Sequence, residues 1–344
     1  MPELAIIADD LTGALDAAAP FAMRGITTTV ALGASAIPTA IATGVTVVGV
    51  STDSREVSPE QARENTRAAV AALPAGTTLF KKVDSRLKGN IAVELDAIPH
   101  ERSLVIPAIP AFGRWMRDGR LGGLGVNEPI DIAARLGRHA AVATIPDISQ
   151  QADIEAALAN PHDLPIGARG LAEAMAAALA PAARTPDTTL RNERAYVVIG
   201  STDPITLTQL ARLRAGGLNL AYVAAPNGIG PQVLPSAARL TVIQATPGAE
   251  AADGKSVALA LADTLARFDP PPGSLLVLSG GATAQVILER LGIDVLELVG
   301  EALPGLPLAR ANGLTFVTKS GGFGSEDTLE RLLAPFQAHQ ERIA

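Results

Sequence analysis

Short uninterrupted apolar runs recur along this chain, and each closes on a knot of polar or glycine residues before a stretch of helical character begins. Leu4 to Ala8 runs into Asp9-Asp10-Leu11-Thr12-Gly13 and a helix reaching about Arg24. Thr27 to Leu32 and Val45 to Val50 read as the next strands, the second delivering Ser51-Thr52-Asp53-Ser54-Arg55 before a helix over Pro59 to Leu73. Leu79 to Val83 then leads into Asp84-Ser85-Arg86-Leu87-Lys88, and Gly89 to Leu95 opens another helix. Strands buried on both faces and alternating with helices require crossover connections, so the fold class is α/β. Open sheets of this kind collect ligands beyond the carboxyl ends of their strands. Three such ends here offer Asp9 and Asp10, then Asp53 and Arg55, then Asp84, Ser85, Arg86 and Lys88.

The pattern continues with a strand from Ser103 to Pro107. Residues 118–130, rich in glycine, read as a weakly structured lid or surface loop. A strand over Ala140 to Ile145 and helices over Asp153 to Ala159 and Gly170 to Leu179 follow. Pro181 to Arg194 is the best linker, which predicts domains over 1–185 and 186–344, each a largely parallel sheet flanked by helices. Beyond it, strands are expected at Ala195 to Ile199, Leu220 to Ala224, Leu240 to Gln244, Ser274 to Leu278 and Leu314 to Thr318. Helices are expected at Thr206 to Arg214, Lys255 to Arg267, Ala284 to Leu291 and from about Glu326. Two strand ends in this half carry glycine turns, Ser279-Gly280-Gly281-Ala282-Thr283 and Lys319-Ser320-Gly321-Gly322-Phe323-Gly324. A strand, a glycine turn and a helix N-terminus together present backbone N–H groups to a phosphate.

Charge narrows the guest. Only five lysines occur, and three of them, Lys81, Lys82 and Lys88, lie in the ten residues Lys81 to Asn90 beside Asp84 and Arg86. A solvated turn would explain such a cluster, but so would a site for a small anion. Net charge is −7 and no larger basic face is visible, which speaks against nucleic acid. No cysteine is present, and the four histidines are scattered without metal-ligand spacing. The N-terminus lacks a signal-peptide pattern and no run is long enough to span a membrane, so a soluble cytoplasmic protein is expected. Gly248 and Gly254-Lys255-Ser256 enclose five residues where a P-loop needs four, and residues 9–14 hold one glycine where a dinucleotide fingerprint needs three. Ala8 stands where a haloacid dehalogenase-type phosphatase loop would need its aspartate nucleophile.

The motifs as a set resemble the four-carbon acid sugar kinases, which phosphorylate threonate, erythronate or 3-oxo-tetronate from ATP. The matching pieces are ADDLTGALD from Ala8, STDSR from Ser51, KKVDSRLKGNI from Lys81, PAIPAFGR from Pro107, GARGLA from Gly167, SGGAT from Ser279 and TKSGGFG from Thr318. They occur in the family's order over nearly the whole chain. The resemblance implies an N-terminal substrate domain, a C-terminal nucleotide domain and a site between them. Residue by residue it implies that Asp10, Arg55 and Lys82 to Arg86 hold the acid sugar, while Ser201, Gly280 to Thr283 and Gly322 hold ATP. Where the family has Gly-Ser-Cys-Ser, this chain has Gly200-Ser201-Thr202-Asp203.

Phosphoryl transfer asks a protein to position an acceptor hydroxyl and neutralise phosphate charge. Arg55 and Arg86 are suited to fork onto a carboxylate, and Lys82 or Lys88 to a point-charge contact. Asp9 joins the substrate set with Ser85, and either Asp10 or Asp84 would accept the hydroxyl proton, Asp10 being preferred. On the nucleotide side the set is Ser201, Gly280, Gly281, Ala282, Thr283, Lys319, Gly321 and Gly322. ATP is expected to arrive with Mg2+, whose ligands spacing does not identify. Membrane partners are not expected, and self-association is left open. Two rivals remain at this stage: a sugar-acid binding protein without catalysis, and an oxidoreductase using the glycine loops for a dinucleotide.

Overall fold

The computed structural model describes residues 1–182, 184–216, 219–235 and 238–336. The chain divides into two compact units, Met1–Pro186 and Asp187–Ala344. The first contains β1 (Leu4–Ala8), α1 (Leu11–Ala22), β2 (Thr28–Ala31), α2 (Ile37–Ala42), β3 (Val47–Ser51), α3 (Pro59–Ala71), β4 (Thr78–Lys82), α4 (Ile91–Leu95) and β5 (Ser103–Ile106). There follow β6 (Arg114–Arg117), β7 (Arg120–Gly123), β8 (Val126–Asp131), α5 (Ile132–Leu136), β9 (Ala143–Thr144), α6 (Gln151–Ala157), β10 (Leu164–Gly167) and α7 (Arg169–Leu179). The second unit contains β11 (Ala195–Ile199), α8 (Pro204–Ala215), β12 (Leu220–Pro226), β13 (Leu240–Thr246), α9 (Gly254–Ala266), β14 (Leu275–Ser279) and α10 (Gly281–Arg290). It closes with β15 (Val295–Leu303), β16 (Leu306–Ala311), β17 (Leu314–Lys319) and α11 (Thr328–Leu333).

In the first unit the strands of the main sheet lie in the order β2-β3-β1-β4-β10-β5-β9, and the pairings are parallel. Every residue of β1, β2 and β3 is buried, as a strand covered on both faces requires. Helix α1 buries ten of its residues, so it behaves as a core element with no wet stripe. The chain leaves β1 toward β2 and β3, then crosses back to place β4 on the other side of β1. The β1/β4 junction is therefore the topological switch point, the crevice where an open α/β sheet receives its ligand. Register sets Ala8 beside both Ser51 and Lys82, so Asp9, Thr52 and Val83 leave the sheet at one level.

The second unit repeats the logic with the order β12-β13-β11-β14-β17-β16-β15. Pairings are parallel from β12 to β17 and antiparallel across β17, β16 and β15. Here the switch point falls between β11 and β14. Its core joins alternate residues of β11, Ala195, Val197 and Ile199, to Leu210 and Leu213 of α8 and to Leu329, Leu332 and Leu333 of α11. The fold is mixed α/β with a mostly parallel sheet flanked by helices, and no helix among the described residues is long and apolar enough to cross a membrane.

Several expectations need correction. Residues 118–130 are not a loose lid: β6, β7 and β8 pair in order as an antiparallel sheet. Asp118 and Gly119 turn the first hairpin with φ of 50 and 71°, the left-handed pair that matches strand twist. Gly122 leaves room for the ring of Trp115, which a Cβ would meet at 2.4 Å. The strand expected over 140–145 shrinks to Ala143–Thr144 after a 3-10 turn, Gly137–Val142. Strand β10 was not foreseen because Pro165 interrupts a four-residue run, and the β15–β16 hairpin was not foreseen either. The last helix, expected from about Glu326, begins at Thr328.

Candidate active site

At the β1/β4 junction the backbone turns sharply into α1, and Asp10 caps that helix: its Oδ1 accepts the Gly13 N–H at 2.7 Å. Its Oδ2 accepts the Thr12 hydroxyl at 2.8 Å and Arg55 Nη1 at 2.6 Å. Arg55 forks onto Asp9, donating from Nε and Nη2 at 2.8 Å each. Burial alone would raise the Asp9 pKa, but the bond from Arg55 and the charges of Arg55, Lys81 and Lys82 outweigh it and hold Asp9 below the ordinary carboxylate value. For Asp10 the balance reverses. Burial, assisted by the negative charge of Asp9, raises its pKa against Arg55, Lys82 and the Thr12 hydroxyl. The junction thus holds two adjacent carboxylates whose proton affinities are pushed apart, the usual preparation for one to act as a base. Gly13 makes this possible, since a Cβ there would lie 2.6 Å from Asp10 Oδ1 and 3.2 Å from Lys82 Nζ.

The loop after β4 is built by Asp84, whose Oδ1 accepts the Arg86 N–H at 2.9 Å and the Lys88 N–H at 3.4 Å; its Oδ2 lies 3.9 Å from Arg55 Nη1. Leu87 and Gly89 take left-handed φ of 53 and 89° to complete the turn. Asn90 ties this loop to the one carrying Arg55 by donating to the Ser54 and Val57 carbonyls at 2.8 and 3.0 Å. Beneath both runs a buried network. Lys81 Nζ lies 3.0 Å from Glu94 Oε2, Ser54 donates to Glu94 Oε1, and the Ser54 and Thr52 hydroxyls bond at 2.7 Å. Lys82 is buried, with Nζ donating to the Val83 carbonyl at 2.9 Å. Arg86 and Lys88 are exposed, and among the described residues neither side chain has a hydrogen-bond or ion-pair partner. Arg114, first residue of β6, donates from Nη1 to the Ser85 hydroxyl.

In the second unit three loops meet at the ends of adjacent strands β11, β14 and β17. The Gly200 N–H donates to the Ser279 carbonyl at 3.1 Å and the Gly280 N–H to the Lys319 carbonyl at 3.0 Å, which sews the loops in series. The packing is tight enough to demand glycine: a Cβ on Gly200 would sit 2.0 Å from Thr283 Oγ1, and one on Gly321 would sit 2.4 Å from Ser201 Oγ. Gly280 enters α10 with φ 108°, and no side chain caps this helix, so its first-turn amides are available to an anion. Lys319 is fully buried. Its Nζ donates to Thr206 Oγ1 at 2.7 Å and to the Ser320 and Gly321 carbonyls at 3.1 and 3.0 Å, and burial lowers its pKa to about 8 against the charge of Asp203.

A family model described as a sugar-binding N-terminal domain matches residues 4–229, and one described as a nucleotide-binding C-terminal domain matches residues 229–329. A D-threonate kinase of Bordetella bronchiseptica is 29% identical over 99% of this chain and 98% of its own. A 3-oxo-tetronate kinase of Methylobacterium radiotolerans is 27% identical over 96% of this chain and 98% of its own. The chain belongs to the four-carbon acid sugar kinase family. The fold agrees with that of a Salmonella typhimurium LT2 protein solved under the name of a tRNA synthase, with a TM-score of 0.73 at 21% identity over 98% of this chain and all of that one. At that identity the likeness speaks for the fold alone.

For this member of the acid sugar kinase family, Asp9, Asp10, Arg55, Lys82, Asp84 and Ser85 gather at the switch point of the first unit, with Arg86 and Lys88 on the rim. Ser201, Gly280 to Thr283, Lys319, Gly321 and Gly322 gather at that of the second. Three of them already have partners within the protein. Arg55 forks onto Asp9, Asp84 accepts from the amides of its own loop, and the Lys319 ammonium donates to the Ser320 and Gly321 carbonyls. Sequence reasoning passed over Arg114, although it closes the motif PAIPAFGR, and over Asp203, whose Oδ2 would lie 3.0 Å from a Cβ on Gly322. It also passed over Arg169, which bonds Asp16 at 3.2 Å and Glu173 at 2.7 Å.

Proposed function

We propose that this protein transfers the γ-phosphoryl group of ATP to a hydroxyl of a four-carbon acid sugar such as threonate, erythronate or 3-oxo-tetronate. The observation that carries the reading is the Asp9–Asp10 pair: one carboxylate neutralised by an arginine fork, the other with raised proton affinity beside Lys82. Asp10 takes the acceptor hydroxyl's proton as its oxygen attacks the γ-phosphorus, and ADP departs. Unpartnered Arg86 and Lys88 receive the acid's negative charge. In the second unit the first-turn amides of α10 and the glycine loop after Lys319 hold the phosphates, and Lys319 keeps that loop in shape.

Among the described residues no three His, Asp or Glu side chains form a metal cage. This donor set fits Mg2+ carried on the nucleotide, held by phosphate oxygens, waters and one carboxylate. Asp203 is the carboxylate that the glycine loops bring in, and it would repel phosphates without a cation between them. Bound there, the ion would neutralise charge on the transferring group. The relatives' names support the substrate class, the family's nucleotide-binding description supports the cosubstrate, and the reading puts the activity in the cytoplasm, where ATP is made.

A coupled ADP-release assay over a panel of four-carbon acids tests this. Wild-type protein should turn over at least one of them, and Asp10→Asn should lower kcat by roughly a hundredfold or more. Undiminished turnover in Asp10→Asn would remove the base from the scheme, and ATP-independent chemistry would remove the scheme itself.

A further inference from the structure

We propose that Arg114 is the second arm, with Arg86, of a clamp for the substrate carboxylate, and that it sets the preference of the site for acid sugars over uncharged ones. This rests on the kinase reading above.

Three observations lead there. First, one of the two arginines expected to grip the carboxylate already has partners: Arg55 is matched by Asp9 and Asp10. Second, Arg114 is held rigidly yet left unneutralised. Its backbone bonds Ile109 in both directions at 3.1 and 3.2 Å, its Nε donates to the Leu124 carbonyl at 3.0 Å, and its Nη1 donates to the Ser85 hydroxyl. These partners are neutral, and no carboxylate within ion-pair distance answers its charge among the described residues. Nη2 makes no hydrogen bond among the described residues, and a Cβ added at Gly125 would stand 3.6 Å from it. Third, the Ser85 bond seats Arg114 beside the residue preceding Arg86, whose charge is, after burial, the largest influence lowering the Arg114 pKa, against the raising charges of Asp84 and Asp16.

Arg114 is bonded to Ser85, the residue before Arg86, so two guanidinium groups stand on one stretch of the rim, an arrangement that favours a bound carboxylate. The planar fork of arginine matches that ligand. The β6–β8 sheet gains a purpose in the same stroke. It is the rigid mount that carries Arg114 over the 84–88 loop, with Ser85 as the hinge pin. A carboxylate seated between Arg86 and Arg114 leaves the sugar's hydroxyls to extend along the loop toward Asp10.

The chain's single tryptophan, Trp115, follows Arg114 directly and gives a readout independent of turnover. Titrating D-threonate or D-erythronate without nucleotide should change Trp115 emission along a saturating curve in wild-type protein. In Arg114→Ala the midpoint should move up by roughly tenfold to a hundredfold, the loss of one charge-assisted fork. KM for the acid should rise by the same factor with kcat nearly unchanged, while the slow turnover of a matching uncharged four-carbon polyol should not move. Arg114→Lys, which keeps the charge and loses the fork, should fall between and guards against a folding defect in the alanine variant. Equal losses on acid and polyol, or wild-type KM in Arg114→Ala, would overturn the clamp while leaving the kinase reading intact. A wild-type protein that phosphorylates no four-carbon acid would overturn both.

Discussion

Asp9 and Asp10 are neighbours in sequence, both buried, with opposite shifts in proton affinity, because Arg55 gives two bonds to Asp9 and one to Asp10. Asp9 takes the fork, so its ionised form is favoured when folded; Asp10 takes one bond and the repulsion of Asp9. The signs of the pH effects follow. The stability that Asp9 contributes is present above its unfolded value near 3.8 and is lost as pH falls through the lower folded value. Asp10 has the reverse sign: between its unfolded value and its raised folded value, the folded protein binds the extra proton and gains stability as pH falls. Asp10→Asn should therefore lower kcat by roughly a hundredfold while melting no lower than wild type at neutral pH, checked by calorimetry beside the ADP assay. The acid limb of kcat/KM should lie above the ordinary aspartate value and vanish in that variant. Much of this site was legible as composition, because polar residues just past fully apolar runs had to be at strand ends. Which donor faced which acceptor was not, so the bonds by which Arg55 holds Asp9 and Asp10 and Asp84 holds its own loop were not foreseen.

Among the elements, the parallel strands were readable because burial on both faces leaves a continuous apolar run. The antiparallel ones were hidden by their glycines. Asp118-Gly119 turns β6 into β7 and Asn312-Gly313 turns β16 into β17, both left-handed pairs, φ 50 and 71° and then 48 and 76°; reading residues 118–130 as a glycine-rich loop left out β6 to β8, and the β15–β16 hairpin was not expected. Helix α4 has only five residues, yet its Glu94 joins Lys81, Ser54 and through it Thr52 in a network with almost no exposure, Lys81 at 0% and Glu94 at 1%. Removing one partner leaves an uncompensated buried charge. Glu94→Ala should cost about 3–5 kcal/mol of unfolding free energy in urea titrations. Replacing Lys81 and Glu94 together with methionine and leucine should cost much less, because no orphan charge is left.

At the scale of the molecule, the same device is used twice. Each unit has a parallel sheet whose chain reverses direction at one junction, and each junction gathers polar loops. The first presents carboxylates and cations, the second glycines whose missing side chains let three loops touch. Nucleotide and acid sugar should accordingly be separable by mutation. Gly321→Val, whose branched side chain would press on Ser201, should remove Mg-ATP binding in calorimetry and leave the Trp115 response to acid sugar intact. Loss of both responses together would argue against the division of labour. The compact units meet after Pro186, whereas the matched family models meet at 229, so the strand β11 and helix α8 that carry Ser201 fall within the sugar-binding description by sequence and within the second unit by packing.

Arg55 is answered by Asp9, while Arg86, Lys88 and Arg114 have no carboxylate partner among the described residues, which leaves three unanswered cations on the rim for any small oxyanion. Sulfate and phosphate in an assay buffer should compete with the acid sugar. Their inhibition should weaken in Arg86→Ala, and rates taken in a zwitterionic buffer should exceed those taken in phosphate at equal ionic strength.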